Sequence, residues 1–152
     1  MFRRASWGKN ESGAAVVETA LCLSFVVLPV VFGGIGYAYM LSFRQGVSQS
    51  AAEGARAAAV APSSASVTDR TTAATNAVNA AMASVPGNLS CGVNHLTCTV
   101  VQVPNCGTGS SHDCMRVTIS YPYRDNSLVP TVPGLGITLP ATITYSATAE
   151  IS

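Results

Sequence analysis

Residues 13–43 read GAAVVETALCLSFVVLPVVFGGIGYAYMLSF, and this stretch decides the architecture. Glu18 and Ser24 are its only polar interruptions of any weight, and Thr19 to Leu41 is a 23-residue run without a charge. At a rise of ~1.5 Å per residue such a helix reaches ~34 Å, enough to cross a hydrocarbon core of ~30 Å. Residues 14–43 are therefore expected to form a transmembrane helix. Pro29 removes one backbone donor inside it and predicts a mild kink, with Ser24 or Ser42 available to satisfy the freed carbonyls.

Working outward, Arg3, Arg4 and Lys9 precede the span against Glu11 alone. The positive-inside rule then makes residues 1–13 a basic cytoplasmic leader and places the chain beyond about residue 44 outside. Arg44 and Arg56 on the outer side weaken this asymmetry without reversing it. A secretory signal peptide has an apolar region of about 7–15 residues ending at a small-residue cleavage site. This run is longer, and no A-x-A directly follows it.

The 152 residues suffice for one small domain plus an anchor. Only 10% of them are charged, with a formal net charge of +1, against about 25% charged in a soluble domain. With neither a basic stripe nor an aromatic stacking platform, the chain has no nucleic-acid-binding signature.

Glu18 stands at the edge of the span. A cut after Gly13 would make it the fifth residue of a mature chain beginning with the free α-amine of Ala14. A helix N-terminus favours negative charge, and an acid near the membrane interior needs a partner. In a helical assembly that partner is the α-amine of a neighbouring subunit, which makes Glu18 a register device. The plainer alternative is an interfacial acid snorkelling to the headgroups.

Three segments carry a family resemblance: Gly13-Ala-Ala-Val-Val-Glu18, the apolar stretch around Leu28-Pro29, and FRQGVSQSAAEGARAA at residues 43–58, with Arg44, Gln45, Glu53, Gly54 and Arg56 as its signature positions. Residues 12–60 resemble the TadE-like family of pseudopilins from tight-adherence (Flp-type) pilus systems. Thr19 departs from the Phe or Tyr that follows the glutamate in Flp-type pilins. The resemblance implies cleavage between Gly13 and Ala14 by a membrane-embedded aspartic prepilin peptidase. It further implies a minor pseudopilin role in the pilus or its assembly platform, beside other pilin or pseudopilin subunits, in adhesion or secretion. The expected location is the bacterial inner membrane, single-pass, with the C-terminal part extracytoplasmic. The competing reading is an uncleaved, membrane-anchored envelope protein whose exported domain binds a partner.

Residues 44–85 read as an extracytoplasmic helical region. Val47, Ala51, Gly54 or Ala55 and Ala58 form a narrow ridge at helical spacing, either a subunit-contact stripe or a face packed on the protein's own sheet. Glu53 and Arg56, three apart, are placed to pair. Pro62-Ser63-Ser64 reads as a turn, and Ser66 with Asp69 as a capping-box-like start. Val67, Ala74, Val78, Ala81 and Val85 then mark a second amphipathic helix, stopped by Pro86-Gly87.

Residues 86–152 read as a β-rich, disulfide-bonded region. Of five cysteines, Cys22 lies in the span, where a thiol is a small apolar group. Cys91, Cys98, Cys106 and Cys114 suggest two disulfides in an oxidising compartment. Three connectivities are possible, and pairing of sequence neighbours is preferred because both loops are short. Zinc is the alternative, given His95 and His112, but the C-x6-C and C-x7-C spacings lack the C-x2-C knuckle of structural zinc. Met115, Val117, Ile119, Tyr121 and Tyr123 alternate with polar residues, as do Ile143, Tyr145, Ala147, Ala149 and Ile151. Both segments predict half-buried antiparallel strands, with Thr97 to Val103 a third. The expected fold is α+β: a long N-terminal transmembrane helix continuing outside, a second helix, and a small antiparallel sheet of about three strands.

Residues 126–140 carry Leu128, Val129, Val132, Leu135, Ile137 and Leu139 among prolines and glycines. They either tuck over the core or present an apolar contact to a partner. No G-x-S-x-G, paired carboxylates or phosphate-cradling loop is present, so neither an enzyme nor a cofactor is expected.

Overall fold

A computed structural model describes residues 11–106, 112–128 and 139–151. The basic residues of the leader, and Val129, Val132, Leu135 and Ile137 of the apolar segment, lie outside the described residues. The fold is α+β. Its helices are α1 (Glu11–Cys22), which runs through a π-helical turn (Leu23–Val27) into α2 (Leu28–Val60), and α3 (Val67–Met82). Its strands are β1 (Thr97–Val103), β2 (Cys114–Tyr121) and β3 (Ile143–Glu150).

The π-turn is the local answer to Pro29. A proline lacks the N–H of a helical residue, and its ring crowds the carbonyl four residues earlier. Widening the preceding turn relieves that crowding: the Leu28 N–H donates to Leu23 O, five residues back. Pro29 then falls in the first turn of α2, where no donor is missed. Ser24 and Ser42 form no side-chain hydrogen bond among the described residues. The disturbance is thus absorbed by the backbone ladder rather than by serine hydroxyls.

From Gly13 to Val60 the helix is continuous, and its most apolar window has a mean hydropathy of 2.3. By length and composition it can cross a membrane. None of that window is buried by the rest of the protein, as it would be in the core helix of a soluble domain. Phe25 is 75% exposed. Burial begins at Met40 and Phe43, each 3% exposed, where the domain first meets the helix.

The sheet is an antiparallel meander in the order β1-β2-β3, with Val117 opposite Val100 on one side and Ala147 on the other. Its dry face carries Met115, Val117, Ile119 and Tyr121 from the central strand, all buried. On the wet face, hydroxyls pair across strands, Thr118 with Ser146 at 2.8 Å and Ser120 with Thr144 at 3.0 Å. The outer half of α2 lies on β2 and β3, while α3 packs along α2 and reaches β1. The helices thus cover the dry face.

The helix α3 starts with a capping box. The Asp69 N–H donates to Ser66 Oγ, and the Ser66 N–H donates to Asp69 Oδ2. Two disulfides, Cys91–Cys98 and Cys106–Cys114, span Cα separations of 5.3 and 5.8 Å. The first fastens the turn before β1, and the second joins the segment after β1 to the start of β2. Cys22 is the free cysteine.

Candidate anchoring and assembly site

The helix Gly13–Val60 presents two surfaces of different character. Below Met40 its apolar side chains are uncovered. Above Met40 one face is packed and the other is bare and polar. The packed face contains Val47, Ser50, Ala51, Gly54, Ala55 and Ala58, all buried. Gly54 marks the closest approach. A Cβ placed there would stand 2.6 Å from Val78 Cγ2 and 3.4 Å from Val117 Cγ1, so a glycine lets α3 and β2 close on α2 together. Gly46 is similar, since its Cβ would meet Val85 Cγ2 at 2.7 Å. The small-residue ridge is therefore a face packed on the chain's own α3 and sheet, the second of the two readings open from sequence.

The other signature residues point elsewhere. Arg44 donates from Nε to the Tyr145 hydroxyl at 3.1 Å and lies 6.0 Å from the ring centroid. This contact ties the base of α2 to β3. Gln45, Glu53 and Arg56 are exposed. Among the described residues none has a hydrogen-bond or ion-pair partner, so the expected Glu53–Arg56 pair is not formed. Between α2 and β3, Leu41, Arg44, Gln45, Ser48, Ala52 and Tyr145 line an open groove.

At the lower end of the sheet an aromatic cluster clamps the helix. The Phe43 ring lies 5.1 Å from Tyr121 and 5.4 Å from Tyr123. The Tyr121 hydroxyl donates to Asn126 O at 2.7 Å. Burial raises the pKa of both phenols, and for Tyr123 the neighbouring Tyr121 adds to it. Both therefore remain neutral hydrogen-bonding groups through the physiological range.

On α1, Gly13 and Ala14 are exposed, as is Glu18. A Cβ on Gly13 would meet nothing within 4 Å, so the fold itself makes no demand for glycine there. Glu18 has no partner among the described residues. The Thr19 hydroxyl donates to Ala15 O at 2.8 Å, which satisfies it within its own helix.

Residues 13–56 match the model of the family TadE-like protein. They are this chain's TadE-like segment. It takes in Gly13, Ala14, Glu18 and all five signature positions, and it stops one turn short of the end of α2. The family is a structural, pilus-associated one. No curated protein and no solved structure matches the chain.

The end of α2, just past the TadE-like segment, is held by a residue that local patterning did not single out. Arg70, 4% exposed, donates to Ala58 O at 2.9 Å and to Pro62 O at 3.0 Å, tying α3 to the end of α2. Its signal was present, because Arg70, Ala74 and Val78 recur every four residues on the buried stripe. As for chemistry, no group of three or more His, Cys, Asp or Glu residues able to hold a metal lies among the described residues. His95 occupies an exposed turn with φ 65°. His112 faces Glu150 at 4.0 Å on the surface.

Proposed function

We propose that this chain is a minor pseudopilin of a bacterial tight-adherence (type IVb, Flp-like) pilus, anchored in the inner membrane with its N-terminus inside. Its role is structural, in assembling a pilus used for adhesion or secretion, and its partners are other pilin or pseudopilin subunits and the assembly platform. The observation that carries this reading is the TadE-like match laid over one continuous helix that is bare and apolar at one end and clamped to a disulfide-bonded domain at the other. A helix of that kind can anchor a subunit before assembly and pack among other helices after it.

In this reading prepilin peptidase cuts between Gly13 and Ala14. Glycine at 13 serves the peptidase, since no neighbour among the described residues requires it. The new α-amine of Ala14 in one subunit meets Glu18 of the next, satisfying a carboxylate that has no partner among the described residues. The polar Gln45, Glu53 and Arg56, unpaired among the described residues, are left for contact with other subunits outside the membrane.

Intact-mass measurement and N-terminal sequencing of the protein purified from its native host test the reading. A mature chain beginning at Ala14 is expected. A chain that retains residues 1–13 while pilus assembly is normal supports the uncleaved envelope protein instead. Glu18→Ala should leave cleavage intact and impair assembly, and unaltered assembly removes the register role.

A further inference from the structure

The depth of the domain relative to the bilayer follows from residue positions along one helix. Glu18 and Arg44 are the charges that bracket 25 uncharged residues. At ~1.5 Å per residue, a hydrocarbon core of ~30 Å that begins at Glu18 ends about 20 residues later, near Ala38. Tyr37 and Tyr39, both exposed, fall at that boundary, the level at which tyrosines anchor membrane helices. The headgroup layer beyond it is about 5–7 Å deep. Met40 lies within it and Phe43, about 7.5 Å past Ala38, at its outer edge, and both are already buried by the domain. The part of the domain that covers them therefore stands at the outer edge of the lipid headgroups.

Two arginines occupy that rim. Arg44 follows Phe43, and with Pro140, Thr142 and Tyr145 it lines a small depression. Arg124 follows Tyr123, whose ring touches Phe43. Its Nε and Nη2 donate to Leu139 O, and its own N–H donates to Ala141 O. Residues 139–142 thus run between the two side chains. Each guanidinium is only partly used: both Nη groups of Arg44 and the Nη1 of Arg124 have no acceptor among the described residues. Asp125, exposed and next along the chain, returns one negative charge and leaves this pair of arginines in excess. Arg44 stands just outside that layer, and a long arginine side chain reaches back to it; unused, pre-oriented guanidinium donors there match the oxygens of a phosphodiester.

We propose that Arg44 and Arg124, on either side of residues 139–142, bind phosphodiester groups of anionic lipids in the extracytoplasmic leaflet and seat the exported domain on the bilayer. The Tyr145 hydroxyl orients Arg44 and the Leu139 carbonyl orients Arg124, so little side-chain freedom is lost when phosphate binds. The inference rests on the membrane-spanning reading given above.

The test uses the full chain in nanodiscs of phosphatidylglycerol or of phosphatidylcholine, with hydrogen exchange followed at residues 139–145. Exchange should be about 25-fold slower in phosphatidylglycerol, about fivefold for each of the two arginines at an anionic surface. Screening with 0.5 M salt, or Arg44→Gln with Arg124→Gln, should abolish the difference. Arg44→Gln alone should reduce it, which covers the case in which losing the Arg124 bond to Leu139 disturbs the fold. Arg116→Gln removes an equal charge from the wet sheet face, where Arg116 contacts Thr148, and should change nothing. Equal exchange in the two lipids, or an equal loss with Arg116→Gln, overturns the proposal. Alkaline extraction of membranes from the native host separates the two ideas: a chain that is extracted fails the membrane reading, whereas a retained chain with no lipid dependence fails this inference alone.

Discussion

The guanidinium of Arg70 on α3 donates to the carbonyl oxygen of Ala58 on α2, 2.9 Å away and almost wholly buried. The last carbonyls of a helix have no partner within it, and they gather partial negative charge. At the end of α2 a cation from the next helix supplies both the donor and the opposite charge. Its second bond, to Pro62 O, fixes the chain as it leaves α2 and so sets the angle at which α3 returns.

Arg70→Met should therefore destabilise the domain by about 2–4 kcal/mol, since it strands buried carbonyls and removes a charge-assisted bond. Arg70→Lys should recover only part of this, because an ammonium cannot fork to two acceptors as a guanidinium does. Thermal unfolding of the detergent-solubilised chain measures both. An unchanged melting temperature for Arg70→Met contradicts the capping role.

Gly54→Ala and Gly13→Ala make an informative pair. At Gly54 the added methyl meets Val78 and Val117, and overpacking of this kind costs about 1–3 kcal/mol. At Gly13 it meets open space, so domain stability should be unaffected and only cleavage should change. Unfolding curves and the mature mass, read on the same two proteins, resolve the effects.

Without reductant, the denatured chain should react with one equivalent of a thiol reagent, at Cys22. After reduction it should react with five. More than one reactive thiol before reduction would contradict the pairings. Replacing Cys91 and Cys98 by serine should cost about 2–3 kcal/mol, the range for a short closed loop.

The capping box gives α3 a dependence on acid. Hydrogen bonds from the Ser66 side chain and backbone hold the Asp69 carboxyl below its ordinary value of 3.8. A carboxylate whose pKa is lower folded than unfolded stabilises the fold at pH above the unfolded value, and that contribution is lost as pH falls through the folded value. Exchange at the first turn of α3 should therefore rise on acidification below about pH 4, and Asp69→Asn should flatten this response. An identical pH profile in the variant would exclude the cap as its cause.

Much of this architecture was legible in one dimension. The long apolar helix could be read because length and uninterrupted apolarity are properties of the segment itself, and nothing else in the chain has to be known. The dry faces of β2 and β3 were legible because strand side chains alternate strictly, and the start of α3 because a capping box is local. Proline 29 was read as a perturbation, but its form was not. Choosing a π-turn over a serine hydroxyl depends on the hydrogen bonds of the whole turn.

The sequence alone determined what each segment prefers: an apolar helix, two alternating strands, a capped helix, and a TadE-like signature from Arg44 to Arg56. Only the tertiary structure decided how that signature divides. Gly54 is consumed by the approach of α3 and β2, Arg44 is held by Tyr145, and Gln45, Glu53 and Arg56 are left exposed. The physical reason is that a helix presents its residues at fixed angles, but which angle faces a neighbour depends on where that neighbour packs. Arg44 and Tyr145 lie 101 residues apart in sequence, and folding alone brings them together beside the apolar part of the helix.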